Sequence, residues 1–171
     1  NGIPDPTPWP PDYREVTRAE DLPQALIVAS ELAVDTEFQN GIPWSVQASW
    51  APGHAVLVRA ENRPAVAALL HQLERKHLIF QSFLDDVPML ARLGLPLERI
   101  RSFDDVMVMS YVLQDPALGL KPQARERLGL TWVRDIDEVT RDPVTGKPHY
   151  DLSRVPFEEA LVYSAGDPDL T

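Results

Sequence analysis

The chain has 171 residues, 44% of them hydrophobic and 25% charged, which fits one globular domain with one core. Sixteen Lys and Arg against 26 Asp and Glu give a formal net charge of −10, which argues against broad electrostatic binding to a nucleic-acid duplex. An enzyme that holds a short stretch of nucleic acid through metal ions is not excluded, because sites that collect Mg²⁺ are acidic.

The chain contains no Cys, so disulfides and thiolate metal sites are excluded. No apolar run approaches the roughly 18 residues that a membrane-spanning helix needs, and the polar start lacks the pattern of a signal peptide. We therefore expect a cytoplasmic, monomeric protein without a membrane partner.

The first residues are rich in proline, with five Pro among residues 1–11. Residues 1–13 are therefore expected to form an extended arm or linker, followed by a domain over residues 14–171. Thr17 and Glu20 have the spacing of a capping box, and they predict a short helix behind them.

Three strands are predicted next. Residues 30–38 form the first, and residues 44–50 alternate apolar and polar side chains, which is typical of a strand with two different faces. A turn at Pro52-Gly53 leads to a third strand over residues 54–58. The short connections predict an antiparallel meander.

Helices and strands alternate in the remainder of the chain. We predict helices over residues 66–73, 86–93, 106–113 and 120–128 and from 156 onward, strands over 78–80 and 100–103, and irregular structure over 131–155. The complete pattern predicts an α/β fold in which helices flank a central mixed sheet of five strands.

Asp35 and Glu37 lie two residues apart at the end of the first predicted strand. Side chains alternate along a strand, so both carboxylates point to the same face. Like charges side by side destabilise a sheet, and a divalent cation is the usual compensation. The alternative is an exposed strand end that carries two solvated acids.

Two further groups of polar residues have suggestive positions. Asp85 and Asp86 follow a buried strand, where either residue could equally cap the next helix. Tyr163 and Asp167 are four residues apart and share one helix face, which suits a carboxylate that holds a metal ion and a phenol that orients its water. Their alternative is an ordinary surface pair.

Five segments in order carry a resemblance to a known family: residues 34–37, 80–90, 103–113, 119–121 and 163–171. The chain resembles the 3′–5′ proofreading exonuclease domain of family A DNA polymerases, in the DnaQ-like superfamily with four acids and a tyrosine. The resemblance implies an RNase H-like fold and hydrolysis of phosphodiester bonds at DNA 3′ ends with two divalent ions, Mg²⁺ or Mn²⁺. It also implies a single-stranded 3′ end as partner and a polymerase domain after a last helix that ends early at Thr171.

The resemblance assigns roles to individual residues. Asp35 is implied to bridge both ions, Glu37 and Asp167 to complete the first site, Asp86 to hold the second ion, and Tyr163 to orient the attacking water. Candidate contacts to the substrate are Thr36, Phe38, Gln39, Asn40, Ser82, Phe83, Leu84, Lys121, Arg125 and Arg127. For the aromatic and basic residues, core packing or a solvated helix face is the alternative.

The sequence departs from the family pattern near two of the acids. The family's His-Asn is Gln81-Ser82 here, and Gly166 and Pro168 flank Asp167, where they disfavour regular helix. Three other functions remain open: an RNA-trimming exonuclease resembling RNase D, an exonuclease-like scaffold or strand-binding domain without activity, and a generic acidic domain that binds partners.

Overall fold

The structure is a computed structural model that describes residues 11–171. Most of the predicted proline-rich arm, residues 1–10, lies outside the described residues. Asp12 and Tyr13, which were also expected in the arm, instead begin the first strand.

One mixed sheet of six strands forms the centre of the domain, in the order β1-β4-β3-β2-β5-β6. The strands are β1 (Asp12–Glu15), β2 (Glu31–Gln39), β3 (Ile42–Ala51), β4 (His54–Arg59), β5 (His77–Phe80) and β6 (Ser102–Asp105). Strands β2, β3 and β4 form the predicted antiparallel meander. On the other side of β2, β5 pairs in parallel with β2 and β6 pairs in parallel with β5.

The prediction of an α/β fold with a mixed sheet is confirmed, but the predicted number of five strands is wrong. Strand β1 pairs in parallel with β4 at the edge of the sheet. It has only four residues, three of them charged, and lacks the apolar alternation that reveals a strand in sequence. Its pairing partner lies about 40 residues further along the chain, so no local signal predicts it.

Seven α-helices are assigned within the described residues: α1 (Gln24–Val28), α2 (Arg63–Leu73), α3 (Phe83–Leu93), α4 (Val106–Val112), α5 (Leu120–Leu128), α6 (Ile136–Val139) and α7 (Phe157–Leu170). Helix α1 begins only after Pro23, and the capping box predicted at Thr17 and Glu20 does not form. Helix α6 occupies part of the segment that was predicted to be irregular. None of the helices in residues 11–171 combines the length and the hydrophobicity that crossing a membrane requires.

The two faces of the sheet are covered by different helices. Leu32, Val34 and Val46 point into the main core, where they pack with Leu69 of α2 and Leu90 of α3. Helix α7 packs across strands β1 to β4. A Tyr13 hydroxyl that donates to Asp169 over 2.5 Å ties the edge strand β1 to α7. The face of β2 opposite the main core therefore lies against α7.

Candidate active site

Strand β2 sorts its side chains as the sequence predicts. Leu32, Val34 and Thr36 are buried, whereas Asp35 and Glu37 alternate with them and are only half-buried. Because α7 packs on that second face of β2, both carboxylates meet residues of the last helix. The strand thus presents two acids to one helix.

Asp167 supplies a third acid from α7. One carboxylate oxygen from each of Asp35, Glu37 and Asp167 lies within 4.8 Å of the others. Tyr163 lies one helical turn before Asp167 on the same helix. The helix continues through Gly166 and Pro168 to Leu170, so the two helix-disfavouring residues do not end it before Asp167 is placed.

Burial raises the pKa of both strand acids, and the charge of a neighbouring carboxylate adds to each shift, Asp85 for Asp35 and Asp35 for Glu37. Desolvation is the main cause for both residues: it raises the pKa of Asp35 to about 6 and, together with the nearby charge of Asp35, the pKa of Glu37 to about 8. Lys121 opposes both shifts. The carboxylates therefore need a positive charge to be ionised together near neutral pH.

Asp86, from α3, contacts β2 at Thr36, the residue between Asp35 and Glu37. Its Oδ1 accepts hydrogen bonds from the backbone N–H of Thr36 over 2.8 Å and from the Thr36 hydroxyl over 2.7 Å. Burial, followed by the charge of Asp35, raises the pKa of Asp86 to about 9. Asp86 is near Asp35 electrostatically, but it is not part of the group of three converging carboxylates.

Lys121, at the start of α5, reaches into the acidic cluster. Its side chain is almost fully buried, and its ammonium group forms an ion pair with the carboxylate of Asp167. The ammonium group also lies 4.6 Å from the centre of the Tyr163 ring. Desolvation lowers the pKa of Lys121 to about 8, although the charges of Asp35 and Glu37 oppose the shift.

Tyr163 remains a hydrogen-bond donor at physiological pH. Desolvation is the first cause that raises the pKa of its phenol, followed by the charges of Glu37 and Asp35. A phenol in this environment keeps its proton, so it can orient a water molecule or a phosphate oxygen but cannot act as a base.

Ser82 and Phe83 stand at the start of α3, with different environments. Ser82 has a left-handed backbone (φ +75°), and its hydroxyl donates to Asp85 over 2.7 Å. The Phe83 ring stacks on Phe103 with centroids 4.6 Å apart, so it is packed against protein rather than open to a base. Leu84, in contrast, is largely exposed.

A cavity of about 370 Å³ lies beside Glu37. Phe38, Gln39 and Asn40 line this cavity, and Tyr150, from the segment between α6 and α7, lines it as well. Phe38 and Tyr150 are both substantially exposed, and Tyr150 has a left-handed backbone (φ +54°). The sequence analysis did not identify Tyr150, because it lies in a segment without a periodic pattern. A single Tyr in an irregular loop does not indicate a binding site.

The other two basic candidates make contacts elsewhere. Arg125 donates to the backbone of Val133 and to Asp135, and Arg127 pairs with Asp115. These contacts hold the loops around α5. Of the three basic candidates, only Lys121 is placed among the carboxylates.

The converging acids fit a divalent metal ion. Three carboxylate oxygens within 4.8 Å form the hard oxygen donor set that Mg²⁺ and Mn²⁺ prefer. Burial raises the pKa of Asp35 and Glu37 even with Lys121 nearby, which fits a site that would take up a further positive charge. Donor chemistry and electrostatics therefore agree.

Comparison with protein-family models assigns the chain to a class. A family described as 3′–5′ exonuclease matches residues 13–171, nearly the whole chain. The chain belongs to this 3′–5′ exonuclease family, and the predicted exonuclease class is confirmed at that level. No curated protein sequence matches the chain significantly.

Solved structures with the same fold include nucleases from several organisms. Escherichia coli RNase D, described as an exoribonuclease involved in structured RNA processing, aligns at 18% identity and a TM-score of 0.69 over 93% of this chain and 42% of its own. Brucella melitensis NrnC bound to pGG aligns at 19% identity and a TM-score of 0.62 over 92% of this chain and 73% of its own. Brucella melitensis NrnC with bound Mg²⁺ aligns at 18% identity and a TM-score of 0.60 over 91% of this chain and 73% of its own. At these identities the similarity shows the fold, which is the predicted RNase H-like exonuclease fold.

Proposed function

We propose that this protein is a metal-dependent 3′–5′ exoribonuclease that removes nucleotides from single-stranded RNA ends. The observation that carries the proposal is the convergence of Asp35, Glu37 and Asp167 within a chain of the 3′–5′ exonuclease family. The choice of RNA is supported by the similar fold of Escherichia coli RNase D, which is described as an exoribonuclease. This is the alternative that the sequence left open, and it replaces DNA proofreading as the first candidate.

Two divalent ions, Mg²⁺ or Mn²⁺, are proposed as cofactors. Asp35, Glu37 and Asp167 would hold one of them, and Asp86 together with Asp35 would hold the second. Ions at these carboxylates would supply a Lewis acid for the scissile phosphate and lower the pKa of a bound water. Divalent ions held by these carboxylates would also explain how a chain with a net charge of −10 could bind a phosphodiester.

The protein groups around the acids have separate tasks. Thr36 fixes Asp86 through two hydrogen bonds, so this carboxylate keeps one orientation. The protonated phenol of Tyr163 can donate a hydrogen bond to the attacking water and hold it in line with the phosphate. Such positioning accounts for much of the rate that phosphodiester hydrolysis requires from the protein itself.

The cavity beside Glu37 is the proposed place of the terminal nucleotide. Phe38 and Tyr150 offer exposed aromatic faces for base stacking, and Gln39 and Asn40 offer amide groups for hydrogen bonds. Stacking tolerates every base, so this arrangement suits an enzyme that trims ends without reading sequence. The left-handed Tyr150 fits this role, because strained backbone tends to occur at binding sites.

DNA proofreading within a family A polymerase is the second candidate. The Gly119-Leu120-Lys121 segment and the long connection before α7 favour it, since both match the polymerase type of exonuclease. A polymerase domain of the same parent chain and a DNA 3′ end as partner belong to this candidate and remain predictions.

The two candidates are separated by a direct comparison of sugars. Single-stranded RNA and DNA of one sequence, each labelled at the 5′ end, are incubated with the protein and Mg²⁺ or Mn²⁺, and EDTA serves as the control. We expect shortening by single nucleotides from the 3′ end, faster for RNA and absent in EDTA. Faster shortening of DNA would favour the proofreading candidate, and cleavage inside the strand would contradict both.

A further inference from the structure

Lys121 is a buried cation placed among the carboxylates that would hold the metal ion. Its residue is only 8% exposed, and its ammonium group pairs with Asp167. The charges of Asp35 and Glu37 act on it as well, so all three converging acids face this one positive group. Burying an ammonium group is costly unless carboxylates compensate it, and here each partner relieves the other.

The structure also provides space next to the ammonium group. Lys121 lines a cavity of about 230 Å³ on the side of α7, together with Trp132, Gly166 and Leu170. Tyr163 and Asp167 line this space as well. A lysine has four rotatable bonds, so its ammonium group can leave the carboxylates without a movement of the backbone of α5.

We propose that Lys121 is the resident counter-ion of the metal-free site and that its ammonium group competes with the divalent ion for Asp167. The proposal rests on the proposed function only in taking Asp35, Glu37 and Asp167 as the metal-binding carboxylates. When the ion binds, the ammonium group leaves Asp167, since two cations cannot share that carboxylate at close range. Lys121 therefore stabilises the metal-free protein and weakens metal binding.

Mn²⁺ titration by calorimetry tests the competition. The K121M variant keeps a side chain of similar length without the charge, and K147M makes the same change at an exposed lysine in the loop between α6 and α7. We expect K121M to bind Mn²⁺ about tenfold more tightly than the unchanged protein, a fraction of what removing a like charge a few ångströms away can give. K147M should bind as the unchanged protein does.

A second readout is the rise in melting temperature between EDTA and saturating Mn²⁺. This rise should be larger in K121M than in the unchanged protein. The substitution removes the cation that compensates the carboxylates in the metal-free state, whereas in the metal-bound state Mn²⁺ compensates them. K121R, which keeps the charge, should bind Mn²⁺ no more tightly than the unchanged protein and thus separates charge from packing. Equal or weaker Mn²⁺ binding by K121M would overturn the counter-ion role alone, whereas absence of Mn²⁺ binding by the unchanged protein would overturn the metal site and the proposed function with it.

Discussion

Tyr163 is a residue whose environment limits what it can do. Its ring lies under the ammonium group of Lys121, and the acids of β2 together with burial raise the pKa of its phenol. A phenol that cannot ionise contributes by its hydrogen bond and its position. The same acids favour the charged form of Lys121, so four side chains from three elements, β2, α5 and α7, form one electrostatic unit.

The role of Tyr163 predicts the effect of removing only its hydroxyl. Tyr163→Phe should lower kcat for 3′ nucleotide removal roughly 10- to 100-fold while KM changes little, because positioning of the water is lost and the ring is kept. Steady-state rates on a single-stranded RNA would show it. Tyr111→Phe, at a largely exposed tyrosine of α4, is the matched control and should leave the rate unchanged.

Asp105 shows how a single side chain joins two elements. It is buried, and its carboxylate accepts hydrogen bonds from Phe83 N–H over 2.7 Å at the start of α3 and from Val108 N–H over 3.0 Å in α4. Both helix starts thus share one cap. Because α3 carries Asp86, this cap also supports one acid of the proposed site.

Removal of that cap should destabilise the fold. Asp105→Ala leaves part-buried backbone donors at the starts of two helices without an acceptor, so the free energy of unfolding should fall by about 2 to 3 kcal/mol in urea denaturation. Asp104→Ala, next to it, removes a half-exposed carboxylate and should cost no more than about 0.5 kcal/mol. Equal losses in the two variants would show that Asp105 is not a shared cap.

Helix α7 contains a glycine that the structure does not require. A Cβ at Gly166 would lie 3.8 Å from the rings of Trp132 and Tyr13, which is ordinary contact. Gly166→Ala should therefore stabilise the protein by about 1 kcal/mol through helix propensity alone. Gly129→Ala is the contrasting variant: its position has φ +69°, so thermal denaturation should show a loss there.

The sequence predicts elements whose signal is local and misses contacts between distant residues. Alternation along β2 places Asp35 and Glu37 on one face, and the spacing of Tyr163 and Asp167 places both on one helix. The pairing of Lys121 with Asp167 and the hydrogen bonds from Thr36 to Asp86 depend on the packing of separate elements, which no periodic pattern encodes. Strand β1 was missed for the same reason.

At the scale of the whole molecule, the acidic site makes stability depend on pH. Folding raises the pKa of Asp35 to about 6, of Glu37 to about 8 and of Asp86 to about 9, from ordinary values of about 4. At pH values between the ordinary and the raised pKa values, the folded, metal-free protein therefore binds more protons than the unfolded chain. Stability from these groups is complete below pH of about 4 and is lost as the pH rises through the folded values.

Melting temperatures in EDTA should accordingly fall between pH 5 and pH 8. Saturating Mn²⁺ should raise the melting temperature more at pH 8 than at pH 5, because protons compete with the ion for the same carboxylates. Glu37→Gln removes one of the titrating groups and should flatten the dependence on pH. A metal-free protein that is more stable at pH 8 than at pH 5 would contradict the environment described for these acids.

Asp35, on the face of β2 that packs against α7, should be essential for the proposed metal-dependent removal of 3′ nucleotides. The most direct measurement compares the rate of shortening of a 5′-labelled single-stranded RNA by the unchanged protein, Asp35→Asn and Asp104→Asn, with Mg²⁺ or Mn²⁺ and with all three proteins folded by circular dichroism. From this role of Asp35 we expect the rate to fall about 100-fold or more in Asp35→Asn and to stay unchanged in Asp104→Asn. Undiminished shortening by the folded Asp35→Asn variant would contradict this role.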